Sequence, residues 1–275
     1  MKVKFYINAE KPAARAAAKE LTARAVALGL AVTARGRSDA VVALGGDGTI
    51  LRAVHDCAGV PVLGFNLGGL GYLASVGRAD FETALGMLAA GRFTVSERTM
   101  LEVRKAGARR RKLALNDVVI MRELTGHAAV LDLEVDGRPA TRYMADGLVL
   151  ATPTGSTAYS LAAGGPVLMP DSRSLAVTPM NPHALGVRPI VVSDAVRLTV
   201  TSRRRVNGRR AETLGVYADG ADVFRLAGDE AVVVAKARVG AKLIELEGYD
   251  PYEVLGRKLG WSGTAVRAAN GRGDF

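Results

Sequence analysis

The sequence has few residues that could form covalent cross-links, membrane spans or stacking surfaces. Its single cysteine, Cys57, excludes an intramolecular disulfide and a cysteine-rich zinc site, and is typical of the reducing cytoplasm. Aromatic residues make up only 5% of the chain and do not alternate with arginines, which argues against a surface for single-stranded nucleic acid. No apolar run approaches the roughly 18 residues of a membrane helix, and the N-terminus lacks the pattern of a signal peptide. We therefore expect a soluble cytoplasmic protein with no membrane partner.

The charge balance is strongly basic. The 275 residues include 37 Lys and Arg against 27 Asp and Glu, a formal net charge of +10, which favours polyanionic partners such as nucleic acids or phosphorylated small molecules. Two clusters carry much of this charge, KAGARRRK (105–112) and SRRRVNGRR (202–210). Each lies between strand-like runs and contains glycine, so hairpin tips in water explain them as well. We expect no nucleic-acid partner, and a basic surface also suits nucleotide substrates.

The pattern of apolar residues changes near Ser96. Before it, strand-like and helix-like segments alternate, which predicts parallel strands in an α/β layer. After it, short β-branched runs are separated by glycine or charged turns, which is typical of an antiparallel sandwich or barrel. Helical spacing returns in YDPYEVLGRKLGW (249–261). We predict an α/β N-terminal domain at 1–97, completed by 250–275, and a mostly-β C-terminal domain at 98–249.

The segment GGDGT follows the apolar strand AVVAL and precedes a helix that we expect to start at Thr49. Ligands bind at the carboxyl ends of strands in open α/β sheets, and glycines there let backbone N–H groups approach a phosphate. A phosphate loop of Gly45, Gly46, Gly48 and Thr49 is predicted. Asp47 would repel phosphate, which favours another role: accepting a hydrogen bond from a hydroxyl about to be phosphorylated, or helping to hold Mg²⁺. A plain helix N-cap explains the same residue without chemistry.

A second glycine-rich segment, NLGGLGYLASV (66–76), follows the next strand. It matches G-x-G-x-x-G imperfectly, and the first loop lacks the lysine of a P-loop, so neither pattern identifies a dinucleotide-binding or P-loop fold. Because both loops follow strands of one layer, we expect them to face one cleft, with Tyr72 as an apolar wall.

A third polar cluster begins where DGLVLAT (146–152) continues into PTGSTAYSLAAGGP (153–166). Hydroxyls and free N–H groups at the start of a short helix suit the polar edges of a nucleotide, and capping accounts for only one of these hydroxyls. Asn116 and Asp117 are adjacent polar residues in an apolar strand, so one of them is predicted to be buried and to need a partner. A β-bulge or a sheet edge is the alternative explanation for that pair.

Taken in order, these segments resemble the ATP-NAD kinase family. The resemblance rests on GGDGT, NLGGLGYL, the Asn116-Asp117 pair, DGLVLATPTGSTAYSLAAGGP, PMNPHALGVRP (179–189) and YEVLGRKLGW (252–261), and spans nearly the whole chain. GGDGT alone is shared with diacylglycerol, sphingosine and phosphofructo-kinases, whereas its combination with TPTGSTAYS is specific. The resemblance implies NAD kinase activity, which phosphorylates the 2′-hydroxyl on the adenosine ribose of NAD to give NADP. The implied donor is ATP with Mg²⁺, or inorganic polyphosphate.

The same resemblance implies roles for individual residues. Asp47 would accept the proton of the 2′-hydroxyl and Arg52 would reach the phosphates, with no protein ligand to a metal. The residues implied in NAD binding are Gly48, Arg52, Tyr72, Asn116, Asp117, His127, Asp146, Thr157, Ala158, Tyr159, Ser160, Leu161 and Ala162. Family members are homo-oligomers, dimers or tetramers, whose NAD sites are completed by a neighbouring subunit.

Two other functions are compatible with parts of the sequence. A lipid or sphingoid kinase would share GGDGT, but it would need an apolar lipid pocket and would not need the Thr-rich helix start. A non-catalytic nucleotide sensor, or a basic nucleic-acid binder, would keep the fold and would not need Asp47, which is present here.

Overall fold

The structure is a computed structural model of the 275-residue chain. It describes residues 1–68, 71–74, 76–123, 128–203, 205–206, 209–210 and 213–260. The predicted substrate-contacting residue His127 lies outside the described residues, as do Gly69 and Trp261. The chain divides into two compact units, one formed by Met1–Glu97 with the segment from Ala241 onward and the other by Arg98–Gly240.

The described residues form twenty strands and five α-helices. In chain order the strands are β1 (Lys2–Ile7), β2 (Ala31–Val32), β3 (Ala40–Leu44), β4 (Val62–Phe65), β5 (Phe93–Arg98), β6 (Leu101–Lys105), β7 (Lys112–Ala114), β8 (Asp117–Arg122), β9 (Ala129–Val135), β10 (Arg138–Ala145), β11 (Gly147–Ala151), β12 (Ser174–Met180), β13 (Ile190–Ser193), β14 (Leu198–Ser202), β15 (Arg205–Val206), β16 (Arg209–Arg210), β17 (Leu214–Ala218), β18 (Ala221–Leu226), β19 (Ala231–Lys236) and β20 (Ala241–Leu246). The helices are α1 (Pro12–Ala27), α2 (Asp47–Asp56), α3 (Phe81–Ala89), α4 (Tyr159–Ala162) and α5 (Pro251–Leu259). None of these helices is long and apolar enough to span a bilayer.

The first unit contains one six-stranded sheet with the order β2-β1-β3-β4-β20-β5. Pairing is parallel from β2 through β20. Strand β3 is buried at every position, as expected for a parallel strand that is covered on both faces. Side chains of α1 and α3, such as Leu21 and Leu85, join Leu44 and Phe65 of the sheet in one hydrophobic cluster. The predicted α/β class of the N-terminal domain is confirmed.

Local sequence sets the ends of the helices in this unit. Helix α1 begins with Pro12, whose fixed φ suits a first helical position, and ends just before Gly29, which has a φ of 81°. Helix α5 is capped by Asp250, whose carboxylate accepts a hydrogen bond from the N–H of Tyr252 at 2.8 Å. It ends at Gly260, which has a φ of 64°.

The boundary after the β-rich region differs from the predicted one. We predicted that this region would extend to residue 249, but β20 pairs with β4 in the first sheet, with Leu243 opposite Val62. The apolar alternation of a strand does not specify which sheet it will join, because pairing partners distant in sequence decide that. The segment that returns to the first unit therefore begins at Ala241.

The second unit is a sandwich of two antiparallel six-stranded sheets. Their orders are β10-β9-β14-β19-β6-β7 and β13-β12-β11-β8-β17-β18. Leu131 and Leu133 of β9 belong to the same buried cluster as Val118 and Ile120 of β8, so alternate residues of both sheets fill one core. The mostly-β class of this unit is confirmed. The first arginine-rich segment spans the connection from β6 to β7, whereas Arg205, Arg209 and Arg210 of the second lie within the paired strands β15 and β16.

Candidate functional site

The first candidate site lies where the parallel neighbours β3 and β4 end. The Asp47 carboxylate joins the loops that follow these strands. Its Oδ2 accepts a hydrogen bond from the N–H of Tyr72 at 2.7 Å. Its Oδ1 accepts from the N–H of Leu73 at 3.0 Å and from the N–H of Ala74 at 3.2 Å. The two glycine-rich loops are therefore in direct contact.

Asp47 does not cap its helix. Helix α2 begins at Asp47, two residues before the predicted start, and its N-cap is Gly46, which makes no side-chain capping bond. The N-cap explanation of Asp47 is therefore wrong, because its oxygens accept from a different loop. A carboxylate in the first turn is still favoured by the partial positive charge of the helix N-terminus.

The glycines of GGDGT have two kinds of surroundings. A Cβ at Gly45 would lie 2.4 Å from Oγ1 of Thr49, which is buried, so these two residues hold the shape of the loop. A Cβ at Gly46 or Gly48 would meet no described atom within 4 Å. Of the predicted phosphate loop, Gly46 and Gly48 therefore leave open space where a ligand can approach the backbone.

Gly71 lies against the Asp47 carboxylate where the two loops meet. A Cβ there would lie 1.8 Å from Oδ1 of Asp47 and 2.5 Å from its Cγ. Any side chain at this position would displace the carboxylate or the loop that holds it. Gly71 therefore sets the position of Asp47, a role that sequence reasoning missed.

Arg52 lies on a different side of α2 from Asp47. Five residues at about 100° each separate the two side chains by about 140° around the helix. Arg52 acts electrostatically on Tyr6, whose hydroxyl donates to Oδ2 of Asp56 at 2.5 Å. The structure therefore groups Arg52 with Tyr6 and Asp56, and does not bring it beside the Asp47 carboxylate.

Tyr72 is half-buried and adjoins a cation that the sequence analysis did not assign. The Nζ of Lys258, on α5, lies 5.3 Å from the centroid of the Tyr72 ring. Burial raises the pKa of the Tyr72 hydroxyl, and the negative charge of Asp47 adds to that effect. The expected apolar wall is thus also a surface for an ammonium group.

The second candidate site surrounds Asp117 in the β-rich unit. Asp117 opens β8, which lies between β11 and β17 and pairs with β11 in continuous register, so the bulge and edge explanations are wrong. The side chain is 5% exposed, and its carboxylate accepts a hydrogen bond from the backbone N–H of Tyr159. Burial, and secondly the charge of Asp219, raise the pKa of Asp117 to about 7, against the opposing effect of the Tyr159 N–H.

Asp219 fixes the chain that leads into this site. It has a φ of 50° in the turn between β17 and β18. Its carboxylate accepts from the N–H groups of Leu115 at 2.7 Å, Asn116 at 2.8 Å and Asp117 at 3.2 Å. Sequence reasoning missed this role, since an Asp-Gly pair indicates a turn but not a partner about a hundred residues away.

The side-chain carbonyl of Asn116 is a candidate ligand contact. Its Oδ1 is buried and has no hydrogen-bond partner within the described residues. A buried acceptor without a partner costs about 1–3 kcal/mol, which a hydroxyl or N–H of a ligand would recover.

Most hydroxyls of the Thr-rich turn bond within the protein. The hydroxyl of Thr152 donates to a backbone carbonyl at 2.6 Å, and that of Ser156 does so at 2.7 Å. The hydroxyls of Ser160 and Thr178 lie 2.9 Å apart. Thr152, Ser156 and Ser160 are fully buried, so packing explains these hydroxyls, which we had expected to need a nucleotide. The other predicted residues here are half-buried or exposed: Thr157, Ala158, Tyr159, Leu161 and Ala162.

Asp146 lies at the other end of β11. The strand runs from Gly147 to Ala151, and Ala151 is the residue opposite Asp117, so about 17 Å of strand separates the two carboxylates. Asp146 accepts from Nδ2 of Asn181 at 3.0 Å and pairs with Nε of Arg122 at 2.8 Å. The hydrogen bond from Asn181 is the largest cause of a pKa for Asp146 below its usual range, and Arg122 lowers it further. Within one chain the structure does not bring Asp146 together with Asp117.

Two family models match the chain in order. The model of the ATP-NAD kinase N-terminal domain matches residues 7–93. The model of the ATP-NAD kinase C-terminal domain matches residues 115–246. Together they cover most of the chain, and they divide it in the same order as the two compact units.

Curated relatives extend over a similar range. An NAD kinase of Symbiobacterium thermophilum is 40% identical over 288 aligned positions, covering 96% of this chain and 99% of that protein. An NAD kinase of Geotalea daltonii is 40% identical over 231 positions, covering 82% of this chain and 79% of that protein.

Solved structures share the fold. Yeast NADH kinase, in complex with NADH, superposes with a TM-score of 0.83 at 25% identity, covering 96% of this chain and 88% of that one. An NAD kinase from Archaeoglobus fulgidus, in complex with ATP, has a TM-score of 0.76 at 25% identity, covering 96% and 100%. On the matched domain models and these relatives, the chain belongs to the ATP-NAD kinase family.

Proposed function

We propose that this protein transfers the terminal phosphoryl group of a donor to the 2′-hydroxyl on the adenosine ribose of NAD, giving NADP. The observation that carries the proposal is the setting of Asp47. Its carboxylate is held by three backbone N–H groups beside Gly46 and Gly48, where open space adjoins the backbone. A fixed carboxylate next to an anion-accepting loop suits a hydroxyl acceptor beside a phosphate donor. Relatives named NAD kinase support NAD as the acceptor.

Asp47 is the general base in this proposal. A carboxylate offers about four lone-pair positions, of which the N–H groups of Tyr72, Leu73 and Ala74 use three. The remaining position accepts the 2′-hydroxyl hydrogen, so the hydroxyl oxygen is aligned before it reacts. As that oxygen bonds to the phosphorus, its proton moves to Asp47, and the bond from the phosphorus to the bridging oxygen of the donor breaks.

The start of α2 is where we propose that the donor phosphates bind. Backbone N–H groups near Gly46 and Gly48, with the helix dipole, favour negative charge there. We propose ATP as the donor, in line with the ATP-bound Archaeoglobus fulgidus structure, with inorganic polyphosphate as a second donor to compare.

Magnesium is the divalent ion that we propose for this reaction. No three His, Cys, Asp or Glu side chains in the described ranges cluster as metal ligands. That setting fits Mg²⁺ carried by donor phosphates, which usually takes only one or two protein carboxylates. Asp47 is not a ligand of that ion in this proposal, because its remaining lone-pair position accepts the 2′-hydroxyl. When bound, Mg²⁺ would neutralise charge on the donor phosphates.

The β-rich unit is the part that we propose to hold NAD. The buried Oδ1 of Asn116 would accept a hydrogen bond from a ribose hydroxyl, while Asp219 keeps the backbone around it in place. Tyr159 is 42% exposed and would supply a ring surface. The buried Ser160 hydroxyl would support this turn from within, since it already pairs with Thr178.

We also propose that the protein is a homo-oligomer, a dimer or tetramer, in which Asp146 serves the NAD site of a neighbouring subunit. Asp146 is separated from Asp117 of its own chain by about 17 Å of strand. An NAD site in the oligomer would combine Asp117 of one subunit with Asp146 of its neighbour.

Mixing two inactive variants tests this arrangement. Asp47→Asn chains and Asp146→Ala chains are each expected to form little NADP. In mixed dimers one of the two sites contains both native residues, so random reassembly should restore about a quarter of the wild-type activity. Mixtures that stay as inactive as their parents would refute a site shared between subunits.

The activity itself is tested by measuring NADP formation from NAD with ATP, with polyphosphate and without a donor, each with and without Mg²⁺. We expect Asp47→Asn to lower turnover roughly 10²–10⁴-fold, the range for a positioned base, with a much smaller loss of NAD affinity. Wild-type turnover in that variant would refute the base assignment. Folded wild-type protein that phosphorylates a lipid or sphingoid base and not NAD, or that binds nucleotide without turnover, would refute the proposed function.

The cytoplasm is the compartment that we propose for this activity. The single Cys57 is unpaired, as is usual where thiols are kept reduced. Fractionation of cells that express the tagged full chain would test the assignment.

A further inference from the structure

Lys258 is a half-buried cation on the packed side of α5. It lies one helical turn after Val254, so the two side chains share the face of α5 that packs on the unit. Val254 and the adjacent Leu255 are buried. Lys258 is half-buried, as expected when the stem of a lysine packs on such a face while its ammonium group stays accessible.

The Lys258 ammonium group is directed to the candidate catalytic loop. Its Nζ lies 5.3 Å from the centroid of the Tyr72 ring, within the range of a cation–π contact. The backbone N–H of Tyr72 in turn donates to Oδ2 of Asp47 at 2.7 Å. Asp47, Tyr72 and Lys258 thus form one contiguous group within the first unit.

The charge of Lys258 is incompletely compensated in this group. Within the described ranges, no carboxylate lies at ion-pair distance from its Nζ, although Asp47 is close enough to act on it electrostatically. Burial lowers the pKa of the Lys258 ammonium group, and the neighbouring Arg257 lowers it further, while Asp47 opposes both. A partly dehydrated ammonium group without an ion-pair partner favours the binding of an anion.

We infer that Lys258 binds the phosphoryl group that is transferred, donating a hydrogen bond to a non-bridging oxygen on the face opposite the α2 N-terminus. This rests on the proposed kinase function. Lys258 gives up no proton: the proton of the acceptor hydroxyl goes to Asp47, and the leaving group keeps the electron pair of the broken phosphorus–oxygen bond. The ammonium group offsets charge that spreads over the phosphoryl oxygens in the transition state. The Tyr72 ring positions it.

Replacing Lys258 by methionine, which keeps most of the apolar stem, tests the inference in the full chain. We expect kcat/KM for ATP to fall about ten- to a hundredfold, with KM for NAD within about twofold of wild type. Lys258→Arg should recover a large part of the loss, since it restores the charge. The matched control is Arg257→Met, because Arg257 is the adjacent residue, is exposed and forms an ion pair with Glu253 of its own helix. It should stay within about twofold.

Several outcomes would overturn the inference. Wild-type kcat/KM for ATP in Lys258→Met would refute it. An equal loss of kcat/KM for ATP in Arg257→Met would also refute it, because the effect would then come from the overall charge of α5. A lower kcat/KM for NAD that comes from a higher KM for NAD would instead indicate that Lys258 contacts the acceptor. If Lys258→Met does not give a wild-type thermal melt, Lys258→Gln replaces it with the same criteria. Wild-type protein without NADP formation refutes the proposed function instead, so the two failures are distinct.

Discussion

Replacing Gly71 by alanine tests whether the position of Asp47, and not only its charge, sets the rate. A Cβ at Gly71 would lie 1.8 Å from Oδ1 of Asp47, and real Cβ atoms essentially never come closer than 3.0 Å to another heavy atom. The carboxylate and the loop must therefore separate by at least the difference, 3.0 − 1.8 = 1.2 Å. No reacting group is removed by this change.

The displacement fixes the expected size of the effect. A misplacement of about 1 Å in a reacting centre can lower the rate about 10²-fold. The same shift weakens at least one N–H bond to a carboxylate, at about 1.5–3 kcal/mol for a bond to a charged group. For a protein of this size that corresponds to a melting temperature lower by roughly 3–12 °C.

The assay is NADP formation from NAD and ATP, with a thermal melt of each variant. Gly68→Ala is the matched control, because it lies in the same loop and its added Cβ would meet no described atom within 4 Å. We expect Gly68→Ala to keep turnover within about twofold and Gly71→Ala to lose about a hundredfold at a temperature where both are folded. Turnover in Gly71→Ala within about threefold of wild type would refute the argument that Asp47 must be held in place.

Three further predictions concern the β-rich unit. Asp219→Ala leaves three backbone N–H groups without their acceptor, so it should lower the free energy of unfolding by about 2–5 kcal/mol and weaken NAD binding. The control is Asp136→Ala, at an Asp-Gly turn where the carboxylate accepts from the N–H of Arg197, and it should lower the free energy of unfolding by under about 1 kcal/mol. Equal losses in denaturant titrations would contradict the anchoring role of Asp219. The pKa of Asp117 is raised to about 7, so the folded protein keeps a proton that the unfolded chain releases near pH 4. The contribution of Asp117 to the free energy of unfolding therefore falls by on the order of 4 kcal/mol as pH rises from about 4 to 7. Asp117→Asn should therefore gain stability relative to wild type between pH 5 and pH 8 in urea titrations, and a difference that does not change with pH would refute the assignment. Gly155→Ala would place a Cβ 1.9 Å from the carbonyl oxygen of Asn116 and should destabilise the unit by about 3 kcal/mol, the upper end of the usual range for overpacking, which a thermal melt would show.

The strand and helix pattern of the first unit could be predicted because it depends on local signals. Strand β3 is an unbroken apolar run, as a parallel strand buried on both faces requires. Gly29 marks the end of α1 since its φ of 81° is strained for other residues. Alternation within an apolar strand predicted that one of Asn116 and Asp117 would be buried, and the structure buries Asp117. Each of these inferences uses a period or a backbone angle that one short segment determines.

The features that could not be predicted depend on contacts between distant segments. The sheet that β20 joins is decided by its pairing with β4, about 180 residues earlier in the chain. The hydroxyls of Thr152 and Ser160 have the composition of a nucleotide site, but internal partners bind them. Lys258 lies in a segment that the family resemblance includes, yet its contact with Tyr72 appears only when α5 packs against the first sheet.

Asp47 and Asp219 have the same pattern of hydrogen bonds, and the difference in their surroundings indicates why only Asp47 is a candidate base. Each carboxylate accepts from three consecutive backbone N–H groups of a distant loop, 72–74 for Asp47 and 115–117 for Asp219. Asp219 occupies a tight turn between two strands, so its bonds serve the loop. Asp47 is the first residue of a ten-residue helix next to open space at Gly46 and Gly48. The three N–H groups orient its carboxylate and leave one of about four lone-pair positions for the hydrogen of an aligned hydroxyl. The bonds that hold the two glycine loops together are therefore also the ones that orient the base, which is why a methyl group on Gly71 should lower turnover as well as stability.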